Sequence, residues 1–154
     1  MEMLNRPIAL LRRYAGDARR VLDYGSGPAL VLLELLRRAG YEAAGYDPLF
    51  NSGADGPQPF DVVVSIETFE HFAEPHRELE QIRGLLRPGG HLTVMTLLYG
   101  GPAAIRDWWY ARDATHVAYY SAGPLDWIVG ELGFELLYCD KERMAVLRYQ
   151  HQGS

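Results

Sequence analysis

The chain has 154 residues, 48% of them hydrophobic, and a formal net charge of -5. That length suits a single domain (residues 1–154) with a buried core, and the acidic balance argues against a broad nucleic-acid-binding face. The lone cysteine, Cys139, excludes an intrachain disulfide, and no apolar run approaches the roughly 18 residues that a membrane-spanning helix needs. Arg6, Arg12 and Arg13 interrupt any apolar leader, so the expected location is cytoplasmic, with no membrane partner.

The elements follow in chain order. Residues 6–16 predict a short amphipathic helix with Ile8, Leu11 and Tyr14 on one side, ended by Gly16. Val21–Tyr24 reads as a buried strand, Ala29–Ala39 as a leucine-rich helix stopped at Gly40, and Glu42–Tyr46 as a second strand. Residues 48–59, rich in proline and glycine, read as loop. Asp61–Ile66 is a nearly continuous apolar run, the mark of a strand covered on both faces. Glu67–Phe72 suits a helical turn. Pro75 opens a helix over 75–86, which Pro88-Gly89-Gly90 stops before a strand over His91–Leu97. An aromatic-rich region holding Trp108, Trp109 and Tyr110 precedes a helix capped by Ser121 and ended by Gly133. Phe134–Tyr138 and Met144–Tyr149 then predict an antiparallel hairpin. Strands alternating with helices predict a Rossmann-like, three-layer α/β sandwich whose sheet is mostly parallel, with that hairpin at its edge.

The most informative stretch is Val21-Leu22-Asp23-Tyr24-Gly25-Ser26-Gly27, an apolar strand running into a glycine-punctuated turn and then a helix. Glycines allow a sharp turn and close approach to a ligand, and a helix amino end offers free N–H groups. The next strand ends on an acid, Asp47, placed to hold ribose hydroxyls. These features describe a nucleoside-cofactor site. A nicotinamide site would want Gly-x-Gly-x-x-Gly, and Leu30 stands where the last of those glycines belongs.

Four segments, in order, resemble the class I S-adenosylmethionine-dependent methyltransferases: the 21–27 turn, Asp47, Phe60–Val64 followed by Glu70-His71, and Leu86-Arg87-Pro88-Gly89-Gly90-His91-Leu92. The resemblance implies that S-adenosylmethionine is the cofactor and a small molecule the methyl acceptor. It implies that Asp23, Gly25, Ser26 and Gly27 approach the methionine end, that Asp47 takes the ribose, and that Ser65, Ile66 and Glu67 lie beside the cofactor. Two departures stand out: Ala29 replaces the third glycine of the family's turn, and the 48–59 loop leaves no room for the family's third strand and its preceding helix. A second strand left as a sheet edge favours pairing or loop cover, which admits a homodimer.

Glu67, Glu70 and His71 share one face if they form a helical turn, and His116 follows in Asp113-Ala-Thr-His. Two carboxylates and two imidazoles can bind a divalent cation such as Mg²⁺. This pattern is similar to that of the metal-dependent O-methyltransferases of ubiquinone biosynthesis and of the small-RNA 2′-O-methyltransferases; the -5 charge argues against the RNA version. In such a site the metal would lower a hydroxyl's pKa. Alternatively, Asp113 and His116 form an acid–base pair without metal, or the histidines serve structure alone. The reading that follows is a methyltransferase acting on a small molecule, with oxygen the first choice of acceptor atom. The competing reading, motivated by the lost third strand, is an inactive cofactor-binding or partner-dependent module.

Overall fold

The computed structural model describes residues 2–26, 31–47, 59–66, 68, 74–95, 131–140 and 144–150. Helix α1 (Glu2–Tyr14) leads into strand β1 (Arg20–Tyr24), helix α2 (Val31–Arg38) and strand β2 (Glu42–Tyr46). Strand β3 (Phe60–Ile66), helix α3 (Pro75–Leu85), strand β4 (Leu86–Met95), strand β5 (Phe134–Cys139) and strand β6 (Met144–Tyr149) follow. The sheet order is β2-β1-β3-β4-β6-β5. Strands β1 to β4 run parallel, and β6 lies antiparallel between β4 and β5. This is the expected Rossmann-like sandwich with its C-terminal hairpin. Among the described residues β2 is the outermost strand on that side; residues 48–58, the loop read between β2 and β3, lie outside the described residues.

Strand alternation sends successive side chains to opposite faces, and each face has its own core. Val21, Val62 and Val64 pack under α1 and α2, against Ile8, Leu11, Leu32 and Leu36. Leu22, Val63, Leu92 and Leu147 pack on the other face against Leu79 and Ile82 of α3. These central strands are therefore apolar on both faces, which is why they read as unbroken runs. Each such buried aliphatic side chain contributes roughly 1.5–3 kcal/mol.

Two boundaries differ from expectation. Helix α1 begins at Glu2 rather than residue 6, so Pro7 lies inside it and removes one backbone donor. The described part of helix α2 begins at Val31, and residues 27–30 lie outside the described residues. Strand β4 begins at Leu86, not His91. Phe60 pairs with Leu86 and Val62 with His91, so the Arg87–Gly90 segment bulges out between two paired positions. Gly89 permits this with φ +79, a conformation that side chains disfavour.

The amino ends of the strands are tied by Asp61, a residue that sequence patterning treats only as a strand start. Its Oδ2 accepts from the backbone N–H groups of Arg19 (2.8 Å) and Arg20 (2.9 Å). Its Oδ1 accepts from Arg87 Nε at 2.7 Å. One carboxylate thus joins the start of β1, β3 and the β4 bulge. Burial raises its pKa, but the two backbone donors and the Arg87 guanidinium outweigh that and hold it below the usual value. A depressed folded pKa gives stability that is present above the unfolded value near 3.8 and is lost as pH falls through the folded one. Asp61→Asn is expected to cost about 2 kcal/mol in urea unfolding at pH 7, and the gap from wild type should shrink below pH 4.

Candidate functional site

The carboxyl ends of β1, β2 and β3 bring together the described members of the expected cofactor site. Strand β1 delivers Asp23 and then the turn at Gly25-Ser26. The backbone N–H groups of Gly25 and Ser26 both donate to the carbonyl of Tyr46, at 2.7 and 3.1 Å. The turn is thereby pinned to the last residue of β2, immediately before Asp47. Gly25 has φ +85, which only glycine adopts without strain.

Asp23 is 3% exposed and lies in register between Gly45 of β2 and Val64 of β3. Burial, reinforced by the negative charge of Asp47, pushes its pKa up to about 7. Two carboxylates at the ends of adjacent strands therefore feel each other across the turn, an arrangement suited to a ligand with a cationic group and hydroxyl donors. Gly45 leaves room on the same sheet face: a Cβ there would stand 3.1 Å from Ser26 Oγ. Ser26 Oγ and Ser65 Oγ are both buried and have no hydrogen-bond partner among the described residues. Ser65 is fully buried and Ile66 half-buried at the end of β3. Buried hydroxyls without partners are costly unless something satisfies them. Carboxylates, hydroxyls and a left-handed glycine turn form a donor set that fits S-adenosylmethionine.

Some contributing residues escape sequence reasoning. Thr68 donates from Oγ1 to the carbonyl of Ile66 (3.0 Å), and its side chain fills the space that a Gly25 Cβ would need. It thereby closes the turn against the end of β3. Tyr24, 2% exposed, donates to Glu78 Oε2 of α3 at 2.7 Å and stacks on Tyr46, with ring centroids 5.0 Å apart. Burial first, and then the Glu78 carboxylate, push the Tyr24 phenol up, which keeps it a donor. Tyr24 stands next to Gly25 in the sequence, whereas nothing in the sequence around Thr68 signals its role. Gly27, Glu67, Glu70, His71, Asp113 and His116 lie outside the described residues, as do the aromatics at 108–110. Among the described residues no group of histidine, cysteine and carboxylate side chains could hold a metal ion.

A parallel sheet with an antiparallel C-terminal hairpin, and a glycine turn beside two strand-end acids, define the class I S-adenosylmethionine-dependent methyltransferase fold. Residues 2–138 match a family described as a methyltransferase domain, and the chain belongs to that family. It is 43% identical over 58 residues to the ubiquinone biosynthesis O-methyltransferase of Caulobacter vibrioides, covering 38% of this chain and 22% of that protein. To the Proteus mirabilis protein of the same name it is 30% identical over 104 residues, covering 51% and 42%. The chain thus spans less than half the length of these curated relatives. In structure it is similar to the Burkholderia thailandensis 1,6-didemethyltoxoflavin-N1-methyltransferase with bound 1,6-didemethyltoxoflavin and S-adenosylhomocysteine. The TM-score is 0.74 at 18% identity, over 96% of this chain and 78% of that one. The mitomycin 7-O-methyltransferase gives a TM-score of 0.68 at 14% identity, over 86% and 49%. No helix among the described residues is long and apolar enough to cross a membrane.

The raised pKa of Asp23 has a measurable consequence. Between about pH 4 and pH 7 the folded protein keeps a proton on Asp23 that the unfolded chain has released. Ligand-free stability should therefore fall as pH rises through that window and level off above it. Relative to Asp23→Asn, wild type should lose on the order of 4 kcal/mol between pH 4 and pH 7.5, read by denaturant unfolding at each pH.

Proposed function

We propose that this chain is an S-adenosylmethionine-dependent methyltransferase that methylates a small molecule, with oxygen as the acceptor atom. The observation that carries this is the buried Asp23 and the strand-end Asp47 flanking a turn pinned to Tyr46. The similarity to ubiquinone biosynthesis O-methyltransferases favours oxygen over nitrogen or carbon. The net charge of -5 favours a small acceptor over nucleic acid.

When bound, S-adenosylmethionine supplies an electrophilic sulfonium methyl group. The chain's own residues hold and orient the reactants. Asp47 would hold the ribose, accepting from its two hydroxyls. Gly25 and Ser26 present a backbone free of bulky side chains to the methionine end. Asp23 would hold the cofactor's cationic amino group and would give up its proton in doing so, so binding near neutral pH would release a proton. Ser65 and Ile66 border the crevice at the end of β3. Fixing donor and acceptor at attack distance supplies much of the rate gain in such a transfer. For the acceptor hydroxyl, His116 with Asp113 takes the proton as a general base. Adding Mg²⁺ to the assay tests whether Glu67, Glu70, His71 and His116 bind a cation instead.

A second reading rests on the outer position of β2 in the described sheet. A domain without the third strand would bind cofactor but need a partner to complete the acceptor side. The two readings separate in an assay of labelled methyl transfer to a panel of catechols and phenols. In the same experiment Asp47→Ala should weaken S-adenosylhomocysteine binding about 10–100-fold in calorimetry while the fold persists. Unchanged affinity would remove Asp47 from the site.

A further inference from the structure

A second cleft, of about 420 Å³, opens at the amino ends of the strands, the opposite edge of the sheet from Asp23 and Asp47. Tyr14, Asp17, Arg87, His91, Arg148 and Tyr149 contribute to its wall. His91 and Arg148 are register partners across the antiparallel β4–β6 pair, so their side chains leave the same sheet face as neighbours. That face is the one covered by α1, whose Tyr14 contributes to the cleft wall. His91 is 8% exposed, and its Nδ1 is buried with no hydrogen-bond partner among the described residues.

The charges around this imidazole are unevenly committed. Arg87 is held by Asp61 through Nε, and its Nη2 stands 4.0 Å from Asp17. Arg148 gives one Nη to Glu135 at 3.1 Å, its register partner on β5, so this carboxylate leaves the same sheet face beside the cleft; both side chains are nearly half exposed. Its other donors are not tied by that contact. Asp17, whose side chain is 85% exposed, reaches the cleft's edge from the turn after α1 at the outer limit of an ion pair. A carboxylate is thus already drawn weakly toward Arg87, and an incoming anion would compete with it. Burial, and then Arg148 and Arg87, lower the His91 pKa, while Asp17 opposes them. The buried imidazole and the two guanidinium groups are the donors this cleft offers to a negative ligand, and Asp61 and Glu135 each already share one of those guanidinium groups.

We propose that this cleft binds a small molecule through an oxyanion, a phosphate or carboxylate group, seated between Arg148, Arg87 and His91. Arginine forks match both oxyanions. The volume lies within the range of small-molecule sites and exceeds what a lone ion would fill, so the oxyanion is carried on a larger body that Tyr14 and Tyr149 can flank. The site is independent of the cofactor reading, since it shares no residue with it.

The test is calorimetric titration of the whole chain with phenyl phosphate, benzoate and phenol, together with NMR of the His91 ring. Phenyl phosphate or benzoate should bind at roughly 1 mM or tighter and raise the His91 pKa, while phenol should do neither. The tighter of the two names the oxyanion. Arg148→Ala should weaken binding about tenfold. Asp17→Asn, a change at an exposed side chain that the fold tolerates, should tighten it about threefold by removing the competitor. Binding of phenol as strong as that of phenyl phosphate, or an Asp17→Asn variant that binds no tighter than wild type, would overturn the proposal. S-adenosylhomocysteine affinity, measured in the same variants, should not move, which separates this site from the cofactor site.

Discussion

Two N–H groups, those of Gly25 and Ser26, converge on one carbonyl, that of Tyr46, and the candidate site depends on that junction. It forces the chain to leave β1 through a left-handed turn, which requires glycine at position 25. It also sets the end of β1 beside the end of β2, which is why the negative charge of Asp47 helps to raise the Asp23 pKa. Thr68 packs where a side chain on residue 25 would have to go, so a third strand end joins the same arrangement. Tyr24 extends it to α3 through Glu78. A short stretch of backbone thus coordinates three strands and a helix from one face of the sheet to the other.

The two edges of the sheet follow opposite logic. At the amino edge, Asp61 is satisfied by three donors and holds its charge easily, so it stabilises the fold without inviting a ligand. At the carboxyl edge, Asp23 is buried with no compensating cation among the described residues, and its pKa rises accordingly. Such a group costs stability at neutral pH, and a bound cation would recover it. The same contrast between satisfied and unsatisfied groups draws attention to His91 beside Arg148, away from the cofactor edge.

The strands were legible because their residues are nearly all apolar: Val21–Tyr24, Glu42–Tyr46, Asp61–Ile66 and Met144–Tyr149 fall on observed strands with small changes at the ends. The amino end of β4 was not, because Pro88-Gly89-Gly90 carries the composition of a stop while the backbone forms a bulge within a strand. The acids and glycines of the cofactor turn could be picked from their spacing, since that spacing follows from the geometry of a strand, a turn and a helix. The contributions of Asp61, Tyr24 and Thr68 could not. Each rests on a contact between segments distant in sequence or on a turn conformation that spacing does not reveal. The expected metal and acid–base residues, Glu67, Glu70, His71, Asp113 and His116, fall outside the described residues and stand as read from sequence.

The central claim is that the Asp23–Gly25–Asp47 edge is a cofactor site. Its most direct test is a calorimetric titration of S-adenosylhomocysteine into the wild-type chain at pH 6.5, in two buffers of different ionisation enthalpy. The account predicts micromolar binding, with a heat that differs between the buffers because Asp23 releases its proton as the ligand's amino group arrives. Absence of binding at millimolar ligand, or binding whose heat is the same in both buffers, would contradict it.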